Sequence, residues 1–351
     1  MKKKVYIGFS GGVDSSVAAY ILKQKGFDVT AVFMTVIPKS TYAGECMTEE
    51  LENAKTVAKF LDIPLITIDL KESFEEKVRK PFYQEYMSGR TPNPCIECNR
   101  LIKFGELANE CLKLGADFVS TGHYAKVKNG KLFKAKDQSK DQTYFLNRVS
   151  SEILSKTIFP LANMKKEKVR EIAERIGLPN FDKKDSQKIC FLKGVKIEEL
   201  FNSKKGNIVD IDTKEIVGEH NGIYKYTIGQ RQGVKIGGLK EPYFVAKKEL
   251  DTNTLFVAKG RDNPYLWKDK FVVDDFNFIH KSNVLKTKRL KAVIRYHSKE
   301  VPASVHWNVK DDKYQGVFTL KKKLWAPSTG QSLVIYKGNE CLGGGEISEI
   351  L

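Results

Sequence analysis

The sequence predicts an α/β domain built on a parallel sheet, followed by a small β-rich domain and a C-terminal β-barrel. Three observations carry this reading. Over the first ~120 residues, strand-like and helix-like runs alternate, the pattern of a parallel sheet wrapped by helices. After about residue 203 the pattern changes to short alternating runs separated by Gly, Asn and Asp, and from Trp267 to Ile350 almost no helical period remains. A length of 351 residues favours two or three domains, and the division reads as 1–203, 204–265 and 266–351.

Lys4 to Phe9 is a short β-rich run that breaks at Ser10-Gly11-Gly12, and the following period puts Val13, Val17, Tyr20 and Ile21 on one helical face. Asp28 to Met34 reads as the next strand. Thr48 is placed to cap a helix with Glu49 and Glu50 in its first turn and Leu51, Ala54, Ala58 and Leu61 facing inward. Pro64 to Asp69 and Asp117 to Thr121 read as strands, and Ile102 to Lys113 as a helix. Lys165 to Ile176 reads as another helix, capped by Asn163, with Val169, Ile172, Ala173 and Ile176 inward and Gly177 and Pro179 as stops. In the middle domain the strand-like runs are Asn207 to Ile211, Tyr224 to Ile228, Tyr243 to Lys247 and Thr254 to Ala258.

Hydrophobic residues make up 41% and charged residues 29%, enough to bury real cores. No apolar run approaches the roughly 18 residues that span a bilayer. The first ten residues hold about five apolar ones, too few for a signal peptide, so a cytoplasmic protein is expected. Sixty Lys and Arg against 43 Asp and Glu leave a net charge of +17. Such a surface suits a polyanionic partner, because covering phosphates releases condensed counterions; charge alone does not separate RNA from DNA or from a membrane. The run Lys286, Lys288, Arg289, Lys291, Arg295 is either a solvated face or a nucleic-acid footprint, and Lys321-Lys322-Lys323 reads as solvated surface.

The string Ser10-Gly11-Gly12-Val13-Asp14-Ser15-Ser16, between a strand and a helix, is the most specific local signal. Glycines let backbone approach an anion, and the N–H groups at a helix start favour negative charge. Ser10 and Ser15 can add hydroxyl donors, and Asp14 can hold a magnesium ion. No Gly-x-x-x-x-Gly-Lys-Ser/Thr string is present, which argues against a Walker-type NTPase. The string resembles the pyrophosphate loop of ATP pyrophosphatases, which cut ATP between its α- and β-phosphates to adenylate a substrate.

Further strings narrow the choice: Asn93-Pro94-Cys95-Ile96-Glu97-Cys98-Asn99-Arg100, Thr121-Gly122-His123-Tyr124, Lys140-Asp141-Gln142-Thr143-Tyr144, Asp185-Ser186-Gln187-Lys188-Ile189-Cys190-Phe191, Ile236-Gly237-Gly238, Arg295-Tyr296 and Gly330-Gln331-Ser332. Together with the loop they resemble the bacterial tRNA-specific 2-thiouridylase family (MnmA-type) over essentially the whole chain. The resemblance implies an N-terminal ATP-pyrophosphatase domain, and a transferase that adenylates the wobble uridine of tRNA and replaces its C2 oxygen by sulfur. It implies ATP binding by Gly8, Phe9, Ser10, Gly11, Gly12, Val13, Asp14, Ser15, Met34 and Gly122, with Mg2+ on the triphosphate. It implies tRNA contacts by Asn93, Pro94, Cys95, His123, Lys140, Asp141, Gln142, Arg295, Tyr296 and Gln331. Cys190 matches the persulfide carrier and Cys98 its partner nucleophile. A sulfur donor, either sulfide or a persulfide-carrying protein, is a further implied partner, and the assembly is a monomer or a dimer. Three alternatives are weighed: a paralogue that thiolates another RNA base, a small-molecule synthetase that releases pyrophosphate without RNA, and a module that binds RNA without catalysis, which the loop and the cysteines disfavour.

The chain departs from the commoner family pattern at Cys95, where an aspartate is usual. A Cys-x-x-Cys results, with Cys190 as a third thiol. Two thiolates three residues apart on a Pro-stiffened loop can grip one metal centre, and no second Cys-x-x-Cys closes a four-thiolate zinc site. Three cysteines with an open position suit a 4Fe-4S cluster on Cys95, Cys98 and Cys190. The competing reading keeps persulfide chemistry, with Cys98 and Cys190 cycling through a disulfide and a neighbouring cation, Lys188 or Arg100, favouring the thiolate. Cys46, Cys111 and Cys341 carry no partner pattern, and Cys111 reads as a small core residue.

Overall fold

The computed structural model describes residues 2–37, 42–185, 189–192, 204–234, 241–280, 289–310 and 313–351, with only the backbone for 42–46 and 310. Lys188, Ile236-Gly237-Gly238, Lys286 and Lys288 lie outside the described residues, as does the Cys46 side chain.

The N-terminal body runs β1 (Lys4–Gly8), α1 (Val13–Gln24), β2 (Asp28–Thr35), α2 (Tyr42–Phe60) and β3 (Leu65–Asp69), then α3 (Lys71–Phe74), a π-helical turn (Glu75–Arg79) and α4 (Lys80–Met87). Next come α5 (Pro94–Glu97), a π-helix (Cys98–Leu107), α6 (Ala108–Lys113), β4 (Phe118–Thr121), β5 (Lys126–Lys128), β6 (Lys131–Phe133), α7 (Ser151–Ser155), β7 (Thr157–Ile158) and α8 (Lys166–Arg175). The sheet order is β3-β2-β1-β4-β7, and every pairing in it is parallel. The chain moves outward from β1 to β3 and then returns to the other side of β1, so a switch point lies between β1 and β4. Gly8 and Thr121 are register partners there. In open parallel sheets that crevice, beyond the carboxyl ends of the strands, is where ligands bind.

The middle body is a four-stranded sheet of β8 (Lys205–Asp210), β9 (Ile216–Asn221), β10 (Tyr243–Glu249) and β11 (Thr254–Lys259), in the order β10-β11-β8-β9. The C-terminal body has β12 (Trp267–Phe278), β13 (Leu290–Val293), β14 (Val301–Lys310), β15 (Lys313–Trp325), β16 (Ser332–Lys337) and β17 (Glu340–Ile350). Their order is β12-β15-β14-β13-β16-β17, and β17 pairs back to β12, which closes the barrel.

The barrel is not a separate bead. The β5–β6 hairpin of the N-terminal body pairs with the start of β17, Leu132 opposite Cys341. Leu132, Tyr144 and Leu146 share one buried cluster with Val293, Val334 and Tyr336 of the barrel. Continuous apolar packing of this kind mounts the barrel rigidly on the α/β body.

Four local expectations are corrected. α2 already runs from Tyr42, so Thr48 lies inside the helix instead of capping it. Gly44 opposes helix in that upstream stretch by about 1 kcal/mol, and the helix runs through it all the same. α8 takes no cap from Asn163; the Lys166 N–H is satisfied by Asp137 Oδ2 at 2.9 Å, a carboxylate 29 residues away. Tyr224 to Ile228 is no strand, because after Gly222, at φ 112°, the chain makes a short 3-10 turn that buries Ile223 and Tyr226. On α1 the fully buried apolar side chains are Val13, Val17, Ala18, Ala19 and Leu22, with Tyr20 and Ile21 only partly covered.

Candidate active site

The loop after β1 owes its shape to its glycines. Gly12 is the N-cap of α1 and supplies no side-chain cap, which leaves the helix start to a ligand. Gly11 has φ +65°, and a Cβ there would stand 2.9 Å from the Ala54 nitrogen of α2. Gly122, just beyond β4, lies against the loop: its Cβ would fall 2.7 Å from Ser15 N and 2.8 Å from Asp14 C. Ser15 Oγ donates to Gly12 O at 3.0 Å, and Ser16 Oγ donates to the same oxygen at 2.8 Å. Asn180 Nδ2 ties the loop from behind, donating to Gly11 O at 2.9 Å. Gly122→Ala must therefore displace the loop backbone. Its ATP affinity, measured by equilibrium dialysis below the melting transition, should fall by at least about tenfold, or 1.4 kcal/mol. Wild-type affinity would remove the nucleotide from this crevice.

Asp14 leads into a charge nest centred on the buried Lys166. Both of its carboxylate oxygens accept from Lys166 Nζ at 2.8 Å, and Tyr124 OH donates to Oδ1 at 2.8 Å. Lys166, only 6% exposed, also pairs with Asp185 Oδ1 at 2.8 Å. Lys140 and Arg170 complete the nest on Asp185 at 2.9 and 3.1 Å. Against a desolvation that would raise it, Lys166 and Lys140 hold the Asp185 carboxyl below its ordinary pKa. Burial, then the Asp14 charge, pushes the Tyr124 phenol up. A magnesium ion on Asp14 would have to displace Lys166. Sequence reasoning missed Lys166, since its partner Asp14 is 152 residues away and nothing in its own helix marks it.

The cysteine segment is built by local rules. Asn93 caps α5 by accepting from Cys95 N at 3.2 Å, with Pro94 in the first turn. Cys95 and Cys190 keep solvent contact, whereas Cys98 is buried. Burial raises all three thiol pKa values, that of Cys98 to about 12, while Lys103 opposes each rise. Cys98 shares one buried cluster with Phe191, the residue that follows Cys190, which brings the two segments together. Among the described residues, however, no three His, Cys, Asp or Glu side chains form a group placed to hold a metal ion. The shared cation is Lys103. Arg100, the other expected candidate, is committed to Glu97 at 3.3 Å and Asp275 at 3.4 Å. The i to i+5 winding of the π-helix brings residue 103 over residue 98, which helical periodicity of 3.6 would not predict.

His123 joins the two halves of the site. Its pKa falls well below the ordinary value through burial and then through Lys103, so the imidazole is neutral. Its Nδ1 lies 2.7 Å from Thr121 Oγ1. Gly122 touches the phosphate loop, and the His123 ring lies 5.8 Å from that of Phe104, in the π-helix that starts at Cys98.

The expected tRNA contacts are largely engaged within the protein. Asp141 accepts from Ala135 N at 2.8 Å and Thr143 Oγ1 at 2.6 Å, and Gln142 Oε1 accepts from Tyr124 N at 2.9 Å. Gln331 Nε2 donates to Thr91 O, and Arg295 Nη2 to Ala326 O. Tyr296 is half-buried, its ring 4.4 Å from that of Phe145 and 3.8 Å from that of His297. Met34 is half-buried beside the β2 end, and Lys291 pairs with Glu300 at 3.0 Å.

Comparison with known proteins covers the whole chain. Residues 3–194 match the family model described as tRNA methyl transferase HUP domain, residues 196–259 the tRNA methyl transferase PRC-barrel domain, and residues 268–347 the aminomethyltransferase beta-barrel domain. The tRNA-specific 2-thiouridylase MnmA of Metamycoplasma arthritidis is 41% identical over 100% of this chain and 97% of its own length. The protein of that name from Bacillus licheniformis is 40% identical over 99% of this chain and 95% of its own. Among solved structures, a 4-thiouridine synthetase in complex with RNA and ATP is 19% identical, with a TM-score of 0.37 over 52% of this chain and 43% of that one. The U34-tRNA thiolase NcsA of Methanococcus maripaludis, with its [4Fe-4S] cluster, is 22% identical, with a TM-score of 0.36 over 51% and 58%. Likenesses that distant bear on neither activity nor ligands.

Proposed function

This chain belongs to the MnmA family of tRNA-specific 2-thiouridylases, and from that premise we propose that it uses ATP to replace the C2 oxygen of the tRNA wobble uridine by sulfur. The observation that carries the reading is the adjacency of two sites. Gly122 seats on the phosphate loop, and the ring of His123 lies 5.8 Å from that of Phe104, in the π-helix that starts at Cys98. A base held between them meets an activated phosphate on one side and thiols on the other. Methyl transfer, the wording of two domain descriptions, has no use for that pairing.

The uridine O2 attacks the α-phosphorus, the bond to the β-phosphate oxygen breaks, and pyrophosphate leaves. A sulfur nucleophile then adds to C2 and AMP departs with the original oxygen. ATP is consumed because a carbonyl oxygen leaves poorly, whereas AMP leaves well. Gly8 to Ser15 and Gly122 cradle the triphosphate, with Mg2+ on its oxygens. Lys166 neutralises Asp14 and Asp185 beside them. Reaching C2 requires the base to leave its stack, and Tyr296 against Phe145 offers a surface on which to hold it.

Three thiols with one fourth position open match, in number and softness, an iron–sulfur cluster bound through Cys95, Cys98 and Cys190. When bound, it would supply an iron that presents sulfide to C2. Without it, Cys190 would carry the sulfur as a persulfide and Cys98 would close the disulfide behind it. The first domain, 1–203, does the chemistry, and 204–265 and 266–351 grip the anticodon arm. Among the described residues no helix is long and apolar enough to cross a membrane.

Anaerobic thiolation of unmodified tRNA with ATP and sulfide, comparing iron-stripped with cluster-reconstituted protein, tests both levels. Thiouridine from the reconstituted form alone is the expected result. Equal product from stripped protein with a persulfide donor would keep the function and reject the cluster. Pyrophosphate release without RNA and without thiouridine would overturn the function.

A further inference from the structure

Segment 90–98, which carries Cys95 and Cys98, is gripped from both ends by the C-terminal barrel. Upstream, Thr91 N donates to Thr329 O at 2.9 Å and Gln331 Nε2 donates back to Thr91 O. Gly330, at φ +83°, lies so close that a Cβ would stand 2.9 Å from Thr91 N. Arg90 pairs with Glu346 of β17.

Downstream, the grip is a four-residue charge node. Glu97, between the two cysteines, accepts from Arg148 Nη1 at 2.7 Å and meets Arg100 Nε at 3.3 Å. Both arginines reach on to Asp275 of β12: Arg148 through Nη2 to Oδ2, and Arg100 through Nη1 at 3.4 Å. Arg148 Nη2 also donates to the Asp275 carbonyl at 3.2 Å. The Arg148 side chain at its centre is only 6% exposed and bonds to both carboxylates, so the link is directional, although Glu97 and Asp275 keep solvent contact at 30% and 45% exposure. Lys313 stands 4.0 Å from Asp275 Oδ1.

Asp275 occupies the left-handed region at φ 46°, inside a register shift between Asp274 and Asn277. A non-glycine residue there is uncommon, and bulges serve to re-aim side chains. The strand is bent where its carboxylate can reach both arginines. Asn277 fixes the same place, its Nδ2 donating to Asn147 O at 3.1 Å.

We propose that the barrel is a positioning element for the Cys-x-x-Cys segment, and that Asp275 is the positioning residue, acting on Glu97 through Arg148 and Arg100. Its catalytic meaning rests on the thiolation reading above. Chemistry that needs sulfur near C2 is sensitive to this placement, because a misplacement of about 1 Å can cost on the order of a hundredfold in rate. The same link gives the RNA-gripping body a path to the sulfur site through packed, hydrogen-bonded groups.

The test compares Asp275→Asn, Glu97→Gln and the double variant in the full chain. Asn tolerates the left-handed region as well as Asp does, so Asp275→Asn removes the charge and keeps the backbone. Each single variant should lower the single-turnover rate of thiouridine formation about ten- to a hundredfold at saturating tRNA and ATP, with both KM values nearly unchanged. The double should fall no further than the worse single, since both act through the same two arginines. An unchanged rate, a loss confined to the KM for tRNA, or multiplying losses would overturn the proposal. If wild-type protein makes no thiouridine, the functional reading fails, and hydrogen exchange decides the positioning alone. Asp275→Asn should then accelerate exchange at residues 94–100 and leave the phosphate loop unchanged; equal acceleration at both would sink it.

Discussion

Lys166→Met is expected to abolish ATP-driven pyrophosphate release while leaving tRNA binding within a few-fold of wild type. Lys166 Nζ is bonded at 2.8 Å to Asp14 and to Asp185, so its removal leaves two carboxylates facing each other beside the phosphate loop. Like charges about 4 Å apart repel by about 4 kcal/mol at an effective dielectric of about 20, and breaking a buried pair costs roughly 3–5 kcal/mol. Lys140 and Arg170 still face Asp185, but among the described residues Asp14 keeps only the Tyr124 hydroxyl, so a triphosphate approaching the loop would meet a carboxylate stripped of its cation. The pyrophosphate rate should fall by about a thousandfold, which at 1.36 kcal/mol per decade corresponds to about 4 kcal/mol, the middle of that range. The melting temperature should fall too, so the rate is to be measured well below the transition. Release within about tenfold of wild type would show that the nest is structural only. Asp14→Asn separates the two roles, because it frees Lys166 for phosphate while removing one of the two negative charges.

What the sequence reveals of this site depends on how local each interaction is. The phosphate loop is legible because Ser10 to Ser16 is one contiguous string between a strand and a helix, and Asn93-Pro94 announces the start of α5 in two residues. The cation of the cysteine group is harder to read: Lys103 faces the thiols through a π-helix, which no periodicity argument anticipates. Lys166 and Asp137 act across 152 and 29 residues, and only the closed tertiary structure brings them to Asp14 and the start of α8. The docking of the barrel on the α/β body is partly legible. Asn129-Gly130, with φ of 51° and 68°, is a hairpin turn signal that marks β5–β6, but its pairing with β17 is set more than 200 residues later. Asp275, in a bulge of β12, carries no sequence mark at all.

Cys98→Ser should separate the two half-reactions: pyrophosphate release with tRNA persists within a few-fold, and thiouridine formation falls by at least about a thousandfold. Adenylation needs only the loop, the charge nest and the base, none of which involves the Cys98 sulfur. Sulfur delivery needs it in either form of the chemistry. The Cys98 thiol is pushed up to about 12 by burial, so at neutral pH it is protonated and a poor nucleophile on its own. In either form of the chemistry its proton has to be taken, by a metal centre that binds the sulfur or by a base when it attacks a sulfur carried by the exposed Cys190. Cys190→Ser should reproduce the same split. Cys95 differs, because aspartate is the commoner residue at its position in the family, and an aspartate can occupy the same exposed first-turn place in α5. Cys95→Asp should keep thiolation within about tenfold, since carboxylate oxygen can replace thiolate as a harder, weaker ligand. Loss of pyrophosphate release in Cys98→Ser would mean that this helix belongs to the nucleotide site. Full thiolation in Cys98→Ser would remove the cysteine pair from the chemistry.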